Sequence, residues 1–184
     1  MDHVIRVVRA DEWLKAKELR LISLQDPAAP VAFLETYENA VARPDSYWQD
    51  RVTGASEGGP ARQFVAEGPD GEWAGTVVVL VEPVGAEGIF GEVSSVSQAH
   101  LVAVFVRPEF RGTGLTEELF RAAIEWAWSL AEPRLDRVRL FVHQGNGRAA
   151  GFYRKFGFVP TGYAVPGPGG TVGRELEMAV ERPV

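Results

Sequence analysis

The stretch "AHLVAVFV", residues 99–106, is apolar on both of its alternating faces, the pattern of a strand buried in the middle of a sheet. A chain containing such a strand must supply covering layers above and below it. The residues that follow, "RPEFRGTGLTEELF", turn through Pro108 and place Gly112 and Gly114 around Thr113. Apolar residues then recur at Leu115, Leu119, Ala122, Ala123, Trp126, Ala127 and Leu130. That spacing is helical. A glycine turn therefore joins a central strand to an amphipathic helix, and it either merely connects them or also holds a ligand.

The rest of the chain supplies the layers. "HVIRVVR" reads as a strand, and Asp11 is expected to cap a helix on which Trp13, Leu14, Ala16, Lys17 and Leu21 leave an apolar stripe. Helical stretches are expected at 30–41 and 45–54. "RQFVAE" and "EWAGTVVVLVE" are strand-like and flank "GPDG", a hairpin signal, while 83–97 reads as a loop. "RVRLFV" predicts a strand, 147–156 a short helix, and "GFVPTGYAV" and "RELEMAVE" two last strands around a glycine-rich loop. The order is mixed α and β, antiparallel at the start and strand-helix-strand-helix in the centre. With 184 residues, 46% of them hydrophobic, the chain suits one domain, residues 1–184.

Composition removes several function classes. The formal charge of −6 offers no general basic field for nucleic acid or an acidic membrane, and fits cationic substrates better. The absence of Cys excludes disulfides, thiolate metal sites and a cysteine nucleophile, and accords with a reducing compartment. His3, His100 and His143 are the only imidazoles, too scattered for a zinc or iron site, so no metal is expected. "MDHVIRVVRADEW" lacks the apolar run of a signal peptide, and "VVVLV" at 77–81 is too short to span a bilayer. A cytoplasmic location is the expectation.

At the start of a helix the first amides have no partner within it, and the dipole adds partial positive charge. Gly112 and Gly114 keep side chains away from that end, and Arg111 adds a cation suited to phosphate. The nucleotide loop G-x-x-x-x-G-K-[ST] is missing, and no G-x-G-x-x-G follows the first strand. Downstream, "NGRAAGFYRKFGF" places Asn146, Ala149, Phe152, Tyr153, Lys155, Gly157 and Phe158 on one short helix and the turn after it.

These two segments, about 30 residues apart, carry a resemblance. "N-x-x-A-x-x-F-Y-x-K-x-G-F" is similar to the late motif of the Gcn5-related N-acetyltransferases, and "V-x-P-x-x-R-G-x-G-L" resembles that family's acetyl-CoA pyrophosphate loop. The resemblance covers about residues 62–160, and "VIRVVRADEWLKAKELRL" is similar in style to the family's first strand and helix. It implies a mixed α/β (α+β) fold. Its central sheet is mostly antiparallel and splayed between its central parallel strands, with helices on both faces and acetyl-CoA in the split. It further implies that the backbone of Phe105 and Val106 pairs with the pantetheine arm. The amides from Arg111 through Gly112, Thr113, Gly114 and Leu115 to Thr116 then hold the pyrophosphate. Thr116 departs from the family's Gly or Ala, and either crowds a phosphate or donates its hydroxyl to it. Asn146 would contact the cofactor or cap its helix, beside Ala149.

The resemblance implies Tyr153 as the acid that protonates the departing thiolate, in contact with the cofactor; a core aromatic is the structural alternative. For the base, His100 is read as sharing a strand face with Val102, Val104 and Val106, and its side-chain type accepts a proton at neutral pH. A buried structural histidine, a water held by Glu92 or Gln98, and His143 are the alternatives. The expected activity is transfer of an acetyl group from acetyl-CoA to a primary amine, a small molecule or a protein N-terminus, in a ternary complex. The competing reading is a non-catalytic acyl-CoA-binding sensor. Partners are acetyl-CoA and the amine, with no nucleic acid or membrane, and with a homodimer allowed. The loops 25–60, 83–97 and 162–173 would select the acceptor and show no readable code.

Overall fold

The computed structural model describes residues 2–167 and 173–184; the expected acceptor loop 162–173 therefore lies partly outside the described residues. β1 (Val4–Val7) leads through a 3-10 turn into α1 (Trp13–Leu24), followed by α2 (Ala29–Ala32), α3 (Tyr37–Val41) and α4 (Asp45–Gly54). The hairpin β2 (Ala61–Glu67) and β3 (Trp73–Glu82) precedes β4 (Gln98–Val106), α5 (Leu115–Ser129), β5 (Arg137–His143), α6 (Gly147–Phe156), β6 (Val159–Pro166) and β7 (Arg174–Glu181). The sheet order is β1-β2-β3-β4-β5-β7-β6. Every pairing is antiparallel except β4 with β5.

The stripe read on α5 is buried: Leu115, Leu119, Phe120, Ala123 and Ala127 pack with Val77, Leu101, Val106 and Leu140 on one face of the sheet. Truncating Leu119, fully enclosed there, to alanine would cost about 2–5 kcal/mol. On the opposite face Ala16 and Leu19 of α1 and Val52 of α4 cover Val65, Trp73 and Phe105. Helices thus lie on both faces, as the doubly apolar β4 requires.

Three local expectations need correction. Asp11 does not cap α1, which starts without a side-chain cap; Glu12 instead reaches back to the Arg9 amide at 2.9 Å, closing the 3-10 turn ahead of the helix, while also bonding Arg6. Of the stripe read on α1, Ala16 is buried and Trp13 and Leu21 pack partly buried against the core, but Leu14 is exposed, and Leu19, Ser23 and Leu24 complete the buried face. The span 30–41 is two short helices, because Phe33 leaves α2 in an extended conformation and Thr36 starts α3 anew by accepting from the Asn39 amide.

β4 also does not run straight. Its register with β3 shifts between Val102↔Val78 and Phe105↔Thr76, and Ala103 sits at φ 53, a rare conformation for a residue with a Cβ. An extra residue in one strand reverses which face later side chains occupy. Leu101 and Val106 accordingly share the core under α5, and Phe105 enters the core under α1. The expectation that His100 shares a face with Val106 is therefore wrong: the bulge lies between them. The same region ends the contact with β5, which pairs only Gln98–His100 with Arg137–Arg139. Beyond His100 the two parallel strands diverge.

Candidate active site

The gap between β4 and β5 opens into a cavity of about 1300 Å³, lined by Arg111, Gly112, Gly114 and Thr116 together with residues of α1, α2 and α4. Gly112 (φ 76) and Gly114 (φ 89) both hold the left-handed conformation, and a Cβ on either would meet nothing within 4 Å. The turn needs glycine for its backbone, and the space beyond it is open. Thr113 ties the turn to itself, donating its hydroxyl to the Phe110 carbonyl at 2.6 Å. Gly114 offers α5 no capping side chain, and the Glu118 amide bonds the Gly114 carbonyl at 3.1 Å. The amides of Leu115, Thr116 and Glu117 precede that bond and have no acceptor inside the helix. Leu115 itself buries its side chain in the core, leaving only its backbone for a ligand, while Thr116 lines the cavity. An anion fits this end of the cavity.

Arg111 is not the free cation that its position implied. Its Nε donates to the Val106 carbonyl at 3.0 Å and its Nη2 to Asp26 at 2.7 Å. Burial alone would raise the Asp26 carboxyl, but the Ala28 amide and Arg111 outweigh it and hold Asp26 below the ordinary range. The Arg107 amide bonds Ala74 across β3, so by antiparallel alternation Phe105 also turns its peptide groups towards β3, and Val106 turns them towards the opening. Arg107 spends its Nε on the Trp73 carbonyl at 2.7 Å.

At the start of α6 Asn146 caps the helix, accepting from the Ala149 amide at 3.3 Å, and both residues line the cavity. Tyr153, one turn on, is half-buried with its ring stacked at 15° on Phe120, 5.7 Å between centroids. It also borders the cavity, and burial pushes its phenol up to about 12. His100 is 1% exposed on the cavity wall and its Nδ1 lies 3.2 Å from Glu82 Oε2. Burial would raise Glu82, but His100 and Arg139 outweigh it and hold the group below its ordinary value. An ionised carboxylate only accepts, so Nδ1 carries the hydrogen, which leaves Nε2 to accept a proton in the neutral form of the ring. Among the described residues no group of His, Asp and Glu is arranged to hold a metal ion.

A model of the acetyltransferase (GNAT) family matches residues 12–158. The chain belongs to that family. A stretch of 64 residues is 39% identical to a putative ribosomal protein bS18-alanine N-acetyltransferase of Bacillus subtilis, covering 35% of this chain and 40% of that relative's length. The fold is similar to the GNAT acetyltransferase of Streptococcus pneumoniae (TM-score 0.72, 17% identity, 98% of this chain and 100% of that one). It is also similar to Arabidopsis thaliana NAA60 solved with a bisubstrate analogue (0.70, 14%, 98% of each chain). A third likeness is to the spermidine/spermine N-acetyltransferase SpeG of Vibrio cholerae (0.63, 17%, 98% and 95%).

In this GNAT domain the other candidate bases are engaged elsewhere. Glu92 accepts from Arg139 at 2.6 Å and from the Phe90 amide at 3.0 Å. Gln98 is buried between Glu82 and Arg137. His143 accepts the Gly145 amide at 2.9 Å and faces Glu175 across β5 and β7. Sequence reading missed Glu82, Arg139 and Glu177, a buried ionic cluster that fixes His100: Arg139, 2% exposed, bonds all three of Glu82, Glu92 and Glu177. The available signal was charge inside apolar strands, in "VVVLVE" and "RVRLFV". It also missed Glu175, a buried carboxyl on the cavity wall whose pKa is raised by burial.

Proposed function

We propose that the protein transfers an acetyl group from acetyl-CoA to a primary amine, a small molecule or a protein N-terminus, by direct attack. The observation that carries this reading is the cavity that joins an uncapped helix start, bare of side chains at Gly112 and Gly114, to Tyr153 and His100. The backbone from Gly112 to Thr116 would hold the diphosphate, Val106 the amide of the arm, and Thr116 would present its hydroxyl from the first turn. Bound acetyl-CoA supplies the activated acyl carbon. As the C–N bond forms and the C–S bond breaks, His100 accepts the proton lost by nitrogen, and the sulfur departs as a thiolate that takes its proton from water.

With its phenol near 12, Tyr153 stays protonated throughout the neutral range. A thiolate whose conjugate acid sits near ~8.5 is too weak a base to strip it. Tyr153 therefore supplies a hydrogen bond to the sulfur as charge develops there, which stabilises the transition state without forming a phenolate. With Cys absent, no thioester relay competes with direct attack. The test is release of free CoA thiol across an amine panel with mass detection of the acetylated product. Tyr153→Phe should lower kcat about 10²-fold or more. Tight CoA binding without product from any amine would favour the acyl-CoA-binding reading instead.

A further inference from the structure

The part of the cavity wall built by α1, α4 and the link before α4 is unexpectedly cationic for a chain of net charge −6. Arg20 of α1, Arg43 of the link between α3 and α4, and Arg51 of α4 all line it, with Glu35 as the carboxylate among them. Glu35 gives its short bond to Arg43, 2.7 Å to Nε, and reaches Arg20 only at 3.3 and 3.4 Å. Arg51 donates to the Tyr47 hydroxyl at 3.0 Å and forms no ion pair among the described residues. Three guanidinium groups therefore share one carboxylate, an excess of two positive charges. Burial and the neighbouring Arg51 charge push Arg20 below its ordinary value, so the wall carries uncompensated charge.

For Arg20, whose side chain is 14% exposed, such an arrangement is costly unless an anion completes it. It is also held in place: Arg20 lies over the Phe33 ring at 4.7 Å and Arg43 over Tyr47 at 4.2 Å. Arg20 and Arg51 further border a water-sized recess of about 20 Å³ with Gln63, Thr76, Val78 and Ala103. This places them at the bulge of β4, on elements that carry none of the glycine turn.

We infer that the acceptor is a small amine that itself carries an oxyanion, a carboxylate or a phosphate, held by Arg51 and Arg20. The inference rests on the acetyltransferase reading above and adds the acceptor's second functional group. A fixed guanidinium fork matches either oxyanion in two-bond geometry, which orients the amine at the other end of the molecule. The negative net charge of the chain, which fits cationic acceptors, is overridden locally by this wall.

The experiment has two arms. In the first, matched pairs are assayed with acetyl-CoA by thiol release: each amino acid against its carboxamide, and O-phosphoethanolamine against ethanolamine. In the second, N-acetyl amino acids and their N-acetyl carboxamides are titrated by calorimetry into protein with CoA present, which needs no turnover. The expected result is at least a tenfold preference for one or more oxyanion-bearing members, the two pair types telling carboxylate from phosphate. Arg51→Gln should abolish the preference and leave CoA affinity unchanged, and Arg51→Lys should restore part of it.

Turnover or binding without any preference for the charged member overturns the inference while leaving the acetyltransferase reading intact. Preference in the calorimetric arm with no thiol released from any amine overturns the acetyltransferase reading and leaves the arginines as an oxyanion-binding wall without an acceptor. A preference that survives Arg51→Gln, or a loss of CoA affinity in that variant, shows that these arginines serve something other than the acceptor. No turnover and no binding preference together defeat both.

Discussion

Gly114→Asp separates the binding role of the turn from its role in folding. Gly114 adopts φ 89, where a residue with a Cβ is disfavoured by about 1–2 kcal/mol. Asp tolerates this region better than most, and a carboxylate at a helix start regains about 0.3–1 kcal/mol. No atom lies within 4 Å of the added Cβ, so no clash adds to the cost. The net destabilisation should stay near ~1 kcal/mol, small beside the roughly 5–15 kcal/mol stability of a domain. Binding should suffer far more, because the new carboxylate both repels a diphosphate and competes for the Thr116 and Glu117 amides. Losing two charge-assisted hydrogen bonds at roughly 1.5–3 kcal/mol each removes about 3–6 kcal/mol, a weakening of about 10²–10⁴-fold. Urea denaturation measures the first quantity and calorimetric titration with CoA the second. A folded variant whose CoA affinity lies within threefold of the parent would refute the placement of the diphosphate at this turn. Gly112→Asp, also in open space at φ 76, gives an independent variant should the first fail to fold.

Because the Tyr153 phenol lies near 12, activity should show no fall assignable to it below pH about 11, and Tyr153→Phe should lower the whole profile without moving its basic limb; a basic limb that disappears in Tyr153→Phe would contradict this. His100→Ala should flatten the acidic limb if His100 takes the proton, and an unaltered limb would return that role to water. Asp26→Asn should release Arg111 and remove a negative charge near the turn, tightening CoA binding several-fold at low salt and less at high salt; weaker binding would mean that the pair orders the turn instead. Glu82 and Asp26 are held below the ordinary carboxylate range, so their contribution to stability is present at neutral pH and lost as pH falls through their folded values. Urea midpoints that hold constant from pH 7 to pH 3 would contradict that sign.

How much of this was readable from the chain depended on the range of the interactions. The β4–turn–α5 unit was legible because a doubly apolar strand, two glycines and a helical stripe are local signals, and they recur in the structure at Gln98–Val106 and Leu115–Ser129. The capping role of Asn146 was one of two readings, and the Ala149 amide makes that bond. Arg111 was legible as a residue but not as a bonding state, since its partner Asp26 lies 85 residues away. The face occupied by His100 was misread because strict alternation takes no account of a bulge, and nothing in "HLVAVFV" announces the positive φ at Ala103.

The sequence by itself determined the elements and the open turn, because propensity, periodicity and glycine's freedom act within a few residues. Tertiary structure alone decided the charges. It brought Glu82, Glu92 and Glu177 onto Arg139, set Glu82 against His100, and gathered Arg20, Arg43 and Arg51 around a single carboxylate. Coulombic and hydrogen-bond energies depend on distance and burial, and both are properties of packed elements rather than of neighbours along the chain.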